Sequence, residues 1–148
     1  MDNHRIISAK LCDIDNIYKI ENNVFHRSSW SYGMVRDEIL NRRSNGQTWV
    51  LKLSNYIIGY CMVRFGPNEV HILNMAIDIK FQNNGYGKKL LHHILKEAPI
   101  KSFIFLEVKR GNFPAIRLYS NIGFEKIHIR KKYYSDGSDA IVMRLQNK

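Results

Sequence analysis

Three places in the sequence hold residue types suited to chemistry. The first is QNNGYGKKLLHHIL, from Gln82 to Leu95. Glycines at Gly85 and Gly87 keep Cβ atoms away from the backbone, so main-chain N–H groups can close on a ligand at a helix start, where unpaired amides and the dipole favour an anion. The pattern suits a phosphate cradle, with Lys88 adding charge, although Lys88 and Lys89 also suit a solvated helix start. The second place is Glu107, the one carboxylate in the apolar run FIFLEVK. An acid in a buried-type strand is costly unless it is paired or used. Glu107 therefore reads either as a salt-bridge or strand-end residue, or as a catalytic carboxylate. The third place follows it: Asn112 suits a helix N-cap, and Tyr119 stands beside Leu118 and Ile122 at a spacing that equally describes core filling.

Two common phosphate loops are excluded by spacing. A Walker loop needs a glycine five positions before Gly87, where Gln82 stands, and a Ser or Thr after Lys88, where Lys89 stands. A dinucleotide fingerprint needs a third glycine where the chain has Leu90. His92 and His93 are adjacent, diverge on a helix and lack the HExxH spacing of a zinc site, so no metal is expected.

The elements that must carry these residues follow from periodicity and punctuation. Ile6-Ile7 starts a short strand. Asp13 is placed to cap a helix through Ile14, Ile17, Tyr18, Val24 and Phe25, and Ser31 to cap another through Met34, Val35, Ile39 and Leu40. TWVLKLS, IIGYCMVRF and VHILNMAIDI read as three strands of an antiparallel meander, with turns at Asn55-Tyr56 and GPNE. The helix opened by the glycine loop carries Tyr86, Leu90, Leu91, Ile94, Leu95 and Ala98 on one side and stops at Pro99. FIFLEVK is the next strand, Asn112 and Pro114 open a helix closed by Gly123, and FEKIHIRKKYY and DAIVMRL flank a turn at Asp136-Gly137. The order is β, α, α, β, β, β, α, β, α, β, β, a mixed α/β chain.

A chain of 148 residues, 45% of them hydrophobic, suits one domain over residues 1–148, without repeats or linkers. Cys12 and Cys61 match no zinc or disulfide spacing, which favours a reduced compartment. Neither a signal peptide nor a membrane-spanning run is present, so a cytoplasmic protein away from the membrane is expected. The net charge of +10 is scattered, with short clusters at Arg42-Arg43, Lys88-Lys89 and Arg130-Lys131-Lys132. It leaves open both nucleic-acid contact and a general basic composition.

What remains, QxxGxG between a strand and an amphipathic helix, resembles motif A of the GNAT acetyltransferases. The likeness extends to NMAID before the loop, LEVKRGNFPAIRLYSNIGF after it and IRKKYYSDGSDAIVM near the end, which are similar to the RimI type. It runs from about Val70 to Leu145 and more loosely through the first two helices. The resemblance implies a GNAT fold: a mostly antiparallel central sheet, helices on both faces, and a splayed strand pair holding acetyl-CoA. Backbone groups of Met75, Ala76 and Ile77 would pair with the pantetheine arm as another strand does. Gln82, Asn83, Asn84, Gly85, Gly87 and Lys88 would surround the pyrophosphate, and Asn112 would touch the cofactor. Glu107 takes the place of the residue that deprotonates the incoming amine, and Tyr119 that of the tyrosine that protonates the departing sulfur.

By the same resemblance the acceptor is a protein N-terminus, the alanine of the small-subunit ribosomal protein S-eighteen; separately, a monomer is expected. Trp30 in SSWS and Tyr133 and Tyr134 in YYSDGS would flank the peptide, with Ser29 in the place of the usual proline. Chemistry agrees with an α-amine. At about pH 7 a group with pKa near 7.8 is roughly a tenth neutral, whereas a lysine near 10.4 is about 400-fold less so, a handicap of about 3.5 kcal/mol. Two other readings stay open on the sequence: a GNAT enzyme for lysines, polyamines or small amines, and a non-catalytic basic module associated with the ribosome.

Overall fold

Side chains along a strand leave opposite faces in turn, and in TWVLKL and YIIGYCMV both sets are apolar, so the sheet has to be covered on both sides. The computed structural model describes residues 3–40 and 45–148; the Arg42-Arg43 cluster lies outside the described residues. Strands β1 (His4–Ser8), β2 (Gly46–Leu53), β3 (Tyr56–Phe65), β4 (Glu69–Ile77), β5 (Phe103–Lys109), β6 (Glu125–Arg130) and β7 (Ala140–Gln146) form one sheet in the order β1-β2-β3-β4-β5-β7-β6. Every neighbouring pair is antiparallel except β4 and β5. On one face Trp49, Leu51, Cys61 and Val63 pack with Leu90, Leu91 and Ile94 of α3 (Tyr86–Glu97) and with Tyr119 of α4 (Phe113–Ile122). Their alternates Val50, Tyr60 and Met62 pack with Ile17 and Ile20 of α1 (Ile14–Phe25) and with Val35 and Ile39 of α2 (Tyr32–Leu40).

The order of elements read from the sequence holds, and so do most of the stops. Ser31 Oγ accepts the Met34 N–H at 3.2 Å, Asn112 Oδ1 accepts the Ala115 N–H at 3.3 Å, and Gly123 ends α4 at φ 125°. Three local readings are corrected. Asp13 turns its carboxylate back to the Lys10 N–H, 2.8 Å away, and so closes a 3-10 turn before α1 rather than capping the helix forward. The β2–β3 turn is Ser54-Asn55, one residue earlier than expected, with Ser54 at φ 55° and Tyr56 already paired to Leu53. β6 stops at Arg130, because Lys132 enters the left-handed region at φ 51° and its N–H is taken by Asp139 at 3.0 Å.

The feature that makes a site is the seam between β4 and β5. Parallel pairing runs from Glu69↔Phe103 to Ile72↔Leu106 and ends there. On the other side of β4, Met62 pairs with Asn74 while Val63 pairs with Ile72, so Leu73 is an extra residue in β4. Such a bulge bends and twists its strand. β4 therefore leaves β5 immediately after its last paired residue, and a wedge opens in the middle of the sheet.

Candidate functional site

The wedge holds a cleft of about 360 Å³. Met75, Ala76 and Ile77 form part of its β4 wall. Asp78 gives its N–H to Ile58 of β3 at 2.7 Å, and backbone groups alternate in direction along a strand, so those of Met75 and Ile77 face away from β3, into the wedge. Gln82 Nε2 donates to the Ile77 carbonyl at 2.9 Å and ties the following loop to the end of β4.

That loop borders the same cleft through Gln82, Asn83, Gly85, Gly87 and Lys88. Gly85 sits at φ 84°, and a Cβ there would meet nothing within 4 Å. Its conformation, rather than crowding, calls for glycine. Gly87 is different: a Cβ would stand 3.1 Å from Leu118 Cδ2, so this glycine also lets α3 approach α4. Asn84 does not border the cleft. Its Nδ2 donates to the carbonyls of Phe81 and Gln82 at 3.2 and 3.0 Å, which makes it a brace for the loop's shape. Asn112, the N-cap of α4, reaches the cleft as well.

Glu107 and Tyr119 both line the wedge. The Glu107 side chain is 8% exposed, and its Oε2 lies 2.6 Å from Nε2 of His71. Burial pushes the Tyr119 hydroxyl up to about 12, so it carries its proton throughout the neutral range. A carboxylate and a protonated phenol on one cleft are an acceptor and a donor of protons, the complement that acyl transfer from a thioester to an amine requires.

At the mouth, Trp30 and Tyr134 line the cleft, whereas Tyr133 stands outside its lining, half-exposed and stacked edge-to-face on Tyr134 at 5.1 Å. Burial, and then the nearby Glu107 charge, raise the Tyr133 hydroxyl; burial foremost raises that of Tyr134. The β6–β7 loop crosses to the α1–α2 connector. Ser28 Oγ donates to Asp136 at 3.3 Å, Ser135 Oγ donates to the Arg27 carbonyl at 3.3 Å, and Lys109 Nζ holds Asp136 at 2.7 Å. The mouth is thus strapped.

Two residues of this neighbourhood escaped the sequence reading. His71 is one, a polar position in β4 whose partner lies on another strand. Glu21 is the other, on the cleft wall yet only 1% exposed. Its carboxylate accepts from the Tyr60 hydroxyl, from Asn74 Nδ2 and, at 2.9 Å, from the Trp30 N–H. A signal existed, since Glu21 follows Ile14 by seven positions and Ile17 by four, on the apolar stripe of α1. Among the described residues there is no group of three or more His, Cys, Asp or Glu that could hold a metal ion, and no helix is long and apolar enough to cross a membrane.

Comparison with known proteins gives this geometry a family. Residues 13–124 match the Acetyltransferase (GNAT) family. The [Ribosomal protein bS18]-alanine N-acetyltransferase of Haemophilus influenzae is 35% identical over 147 residues, covering 93% of this chain and 95% of that protein. The crystal structure of the ribosomal-protein-S18-alanine N-acetyltransferase from Escherichia coli superposes with a TM-score of 0.85 at 27% identity, over 98% of this chain and 94% of that one. The fold recurs in Ard1 from Thermoplasma volcanium, with a TM-score of 0.86 at 23% identity over 98% of each chain. The seven-stranded sheet, its wedge and these matches together make the chain a member of the GNAT acetyltransferases, enzymes that draw their acetyl group from acetyl-CoA.

Proposed function

We propose that the protein transfers the acetyl group of acetyl-CoA to the α-amine of an N-terminal alanine, that of the small-subunit ribosomal protein bS18. The supporting observation is the joining of Glu107, Tyr119 and the glycine loop on one wedge, in a chain 35% identical to an enzyme named for that reaction. In this reading the enzyme is a cytoplasmic monomer and residues 1–148 are one catalytic domain.

The residues fit the cofactor. An open cradle with a left-handed glycine at φ 84° exposes loop amides at the N-terminus of α3, and Lys88 adds a positive charge, which together suit a pyrophosphate. The strand edge at Met75 and Ile77 suits an extended, amide-bearing arm. Gln82, Asn83, Gly85, Gly87, Lys88 and Asn112 form the cofactor shell in this proposal, with Asn84 holding the loop's shape. Acetyl-CoA supplies an activated acyl group. Glu107 accepts the proton that the amine sheds, and Tyr119 returns one to the departing sulfur, so nitrogen gains the acetyl carbon as the carbon–sulfur bond breaks.

Acceptor selection rests on the strapped mouth. Trp30 and Tyr134 line a passage closed over by the contacts of Ser28 and Ser135, and Tyr133 stands beside it. A flexible chain end enters such a passage more readily than a side chain held on a folded surface. The α-amine also needs about 3.5 kcal/mol less than a lysine to become neutral. The test is intact-mass analysis of peptides incubated with enzyme and acetyl-CoA. A peptide with the free alanine terminus of the ribosomal protein gains one acetyl group, and blocking that amine abolishes the gain even when lysines are present. Acetyl groups on lysines or polyamines, with the alanine terminus untouched, would overturn the acceptor assignment.

A further inference from the structure

We propose that His71 is a positioning residue for Glu107, a role that rests on the reading of Glu107 as the base. Ile104, Leu106 and Val108 of β5 and Val70 and Ile72 of β4 are all buried toward the α3–α4 layer. By alternation, His71 and Glu107 share the opposite face. Parallel pairing sets His71 beside Phe105, and Glu107 lies one residue past the last paired position, Leu106. That offset brings His71 Nε2 to 2.6 Å from Glu107 Oε2.

The location explains why such a partner is useful. Glu107 is the first β5 residue beyond the point where β4 peels away, so the β4 backbone no longer confines it on that side, while β7 still pairs it through Val142 on the other. A long side chain of this kind has rotamer freedom of about 1.5–2 kcal/mol to lose. His71 stands on the last fully paired stretch of β4, a rigid base, and its N–H fixes one carboxylate oxygen. His71 has no better partner within the sheet: its β3 neighbour in register is Arg64, whose guanidinium is held by Glu38 at 2.6 Å. A half-exposed site, with the His71 side chain 42% exposed, does not need histidine for packing.

The test compares kcat and KM in single and paired variants. His71→Leu and His71→Ala should lower kcat roughly 10- to 100-fold, the scale of a catalytic group displaced by about 1 Å, with KM for acetyl-CoA unchanged. His71→Gln, whose amide N–H can reach the same oxygen, should recover most of kcat. Combined with Glu107→Gln, neither substitution should slow the enzyme further, because residues acting as a unit are not additive. Wild-type kcat in both His71→Leu and His71→Ala, with Glu107→Gln slow, would overturn the positioning role and leave the base in place. A His71→Gln variant as slow as His71→Ala, or losses that multiply in the double variants, would overturn it as well. Wild-type kcat in Glu107→Gln would instead remove the base reading itself.

Discussion

Burial gives Tyr119 its chemical character. With its hydroxyl pushed up to about 12, the phenol holds a proton at every pH at which the enzyme works and can donate but not accept. Tyr119→Phe should keep acetyl-CoA binding, measured by calorimetry, while kcat falls by roughly 10²-fold, a usual worth for a general acid. Wild-type turnover would return Tyr119 to core filling. Glu21 is subject to the same force with the opposite consequence. Burial is its largest influence and raises the carboxyl, against the lowering effect of bonds from Tyr60, Trp30 and Asn74. A raised native value means that folding favours the protonated form. This group's contribution to stability is therefore complete below the unfolded carboxyl range near 4.3 and is lost as pH rises through the native value. In urea titrations from pH 4 to pH 8, Glu21→Gln should gain on the wild type as pH rises, and a constant difference would contradict this. Single side chains were partly readable from the sequence. Glu107 stood out as one acid among apolar neighbours, and Glu21 was masked by the same stripe that should have exposed it. The His71 partnership could not be read, since it depends on register between strands 36 positions apart.

Elements were easier to read than contacts, because periodicity and turn chemistry are local. The two-residue alternation of β2 and β3, the Ser31 and Asn112 caps and the Gly123 stop each act within a few positions of themselves. Two of the three errors arose where a non-glycine residue took up a left-handed conformation, as Ser54 and Lys132 do at φ 55° and 51°. The bulge at Leu73 leaves no mark in the apolar pattern, so the position of the wedge came through family likeness rather than through the residues. The β6–β7 loop supplies an element-scale prediction. Asp136 joins Lys109 at 2.7 Å and Ser28 at 3.3 Å, and Lys109 draws its carboxyl well below the usual range. Asp136→Ala should release the strap, raising the peptide KM and admitting internal lysines while leaving the acetyl-CoA KM in place. Unchanged selectivity by mass spectrometry would show that the strap does not filter acceptors.

At the scale of the molecule, the sheet separates two packed faces, and acetyl-CoA would bridge the seam within it. A ligand bound at 100 times its Kd stabilises the native state by about 2.7 kcal/mol, which for a domain of this size corresponds to roughly 5–10 °C in Tm. Thermal melts should show a rise of that order with acetyl-CoA and a smaller one for Lys88→Glu, where a negative charge would face the pyrophosphate. No rise at millimolar cofactor would remove the cofactor site from the wedge.

An open sheet ordinarily has two rims, and this one has two more in its interior, along β4 after Ile72 and along β5 after Leu106. Unpaired rims are templates on which foreign chains can add strands. Here they diverge from one another inside a cleft of about 360 Å³, behind the glycine loop and α4. A narrow, extended molecule with amides of its own fits them more readily than the strand of another protein, which carries side chains on both faces. The bend that opens a place for a cofactor therefore also protects the protein from aggregating through it.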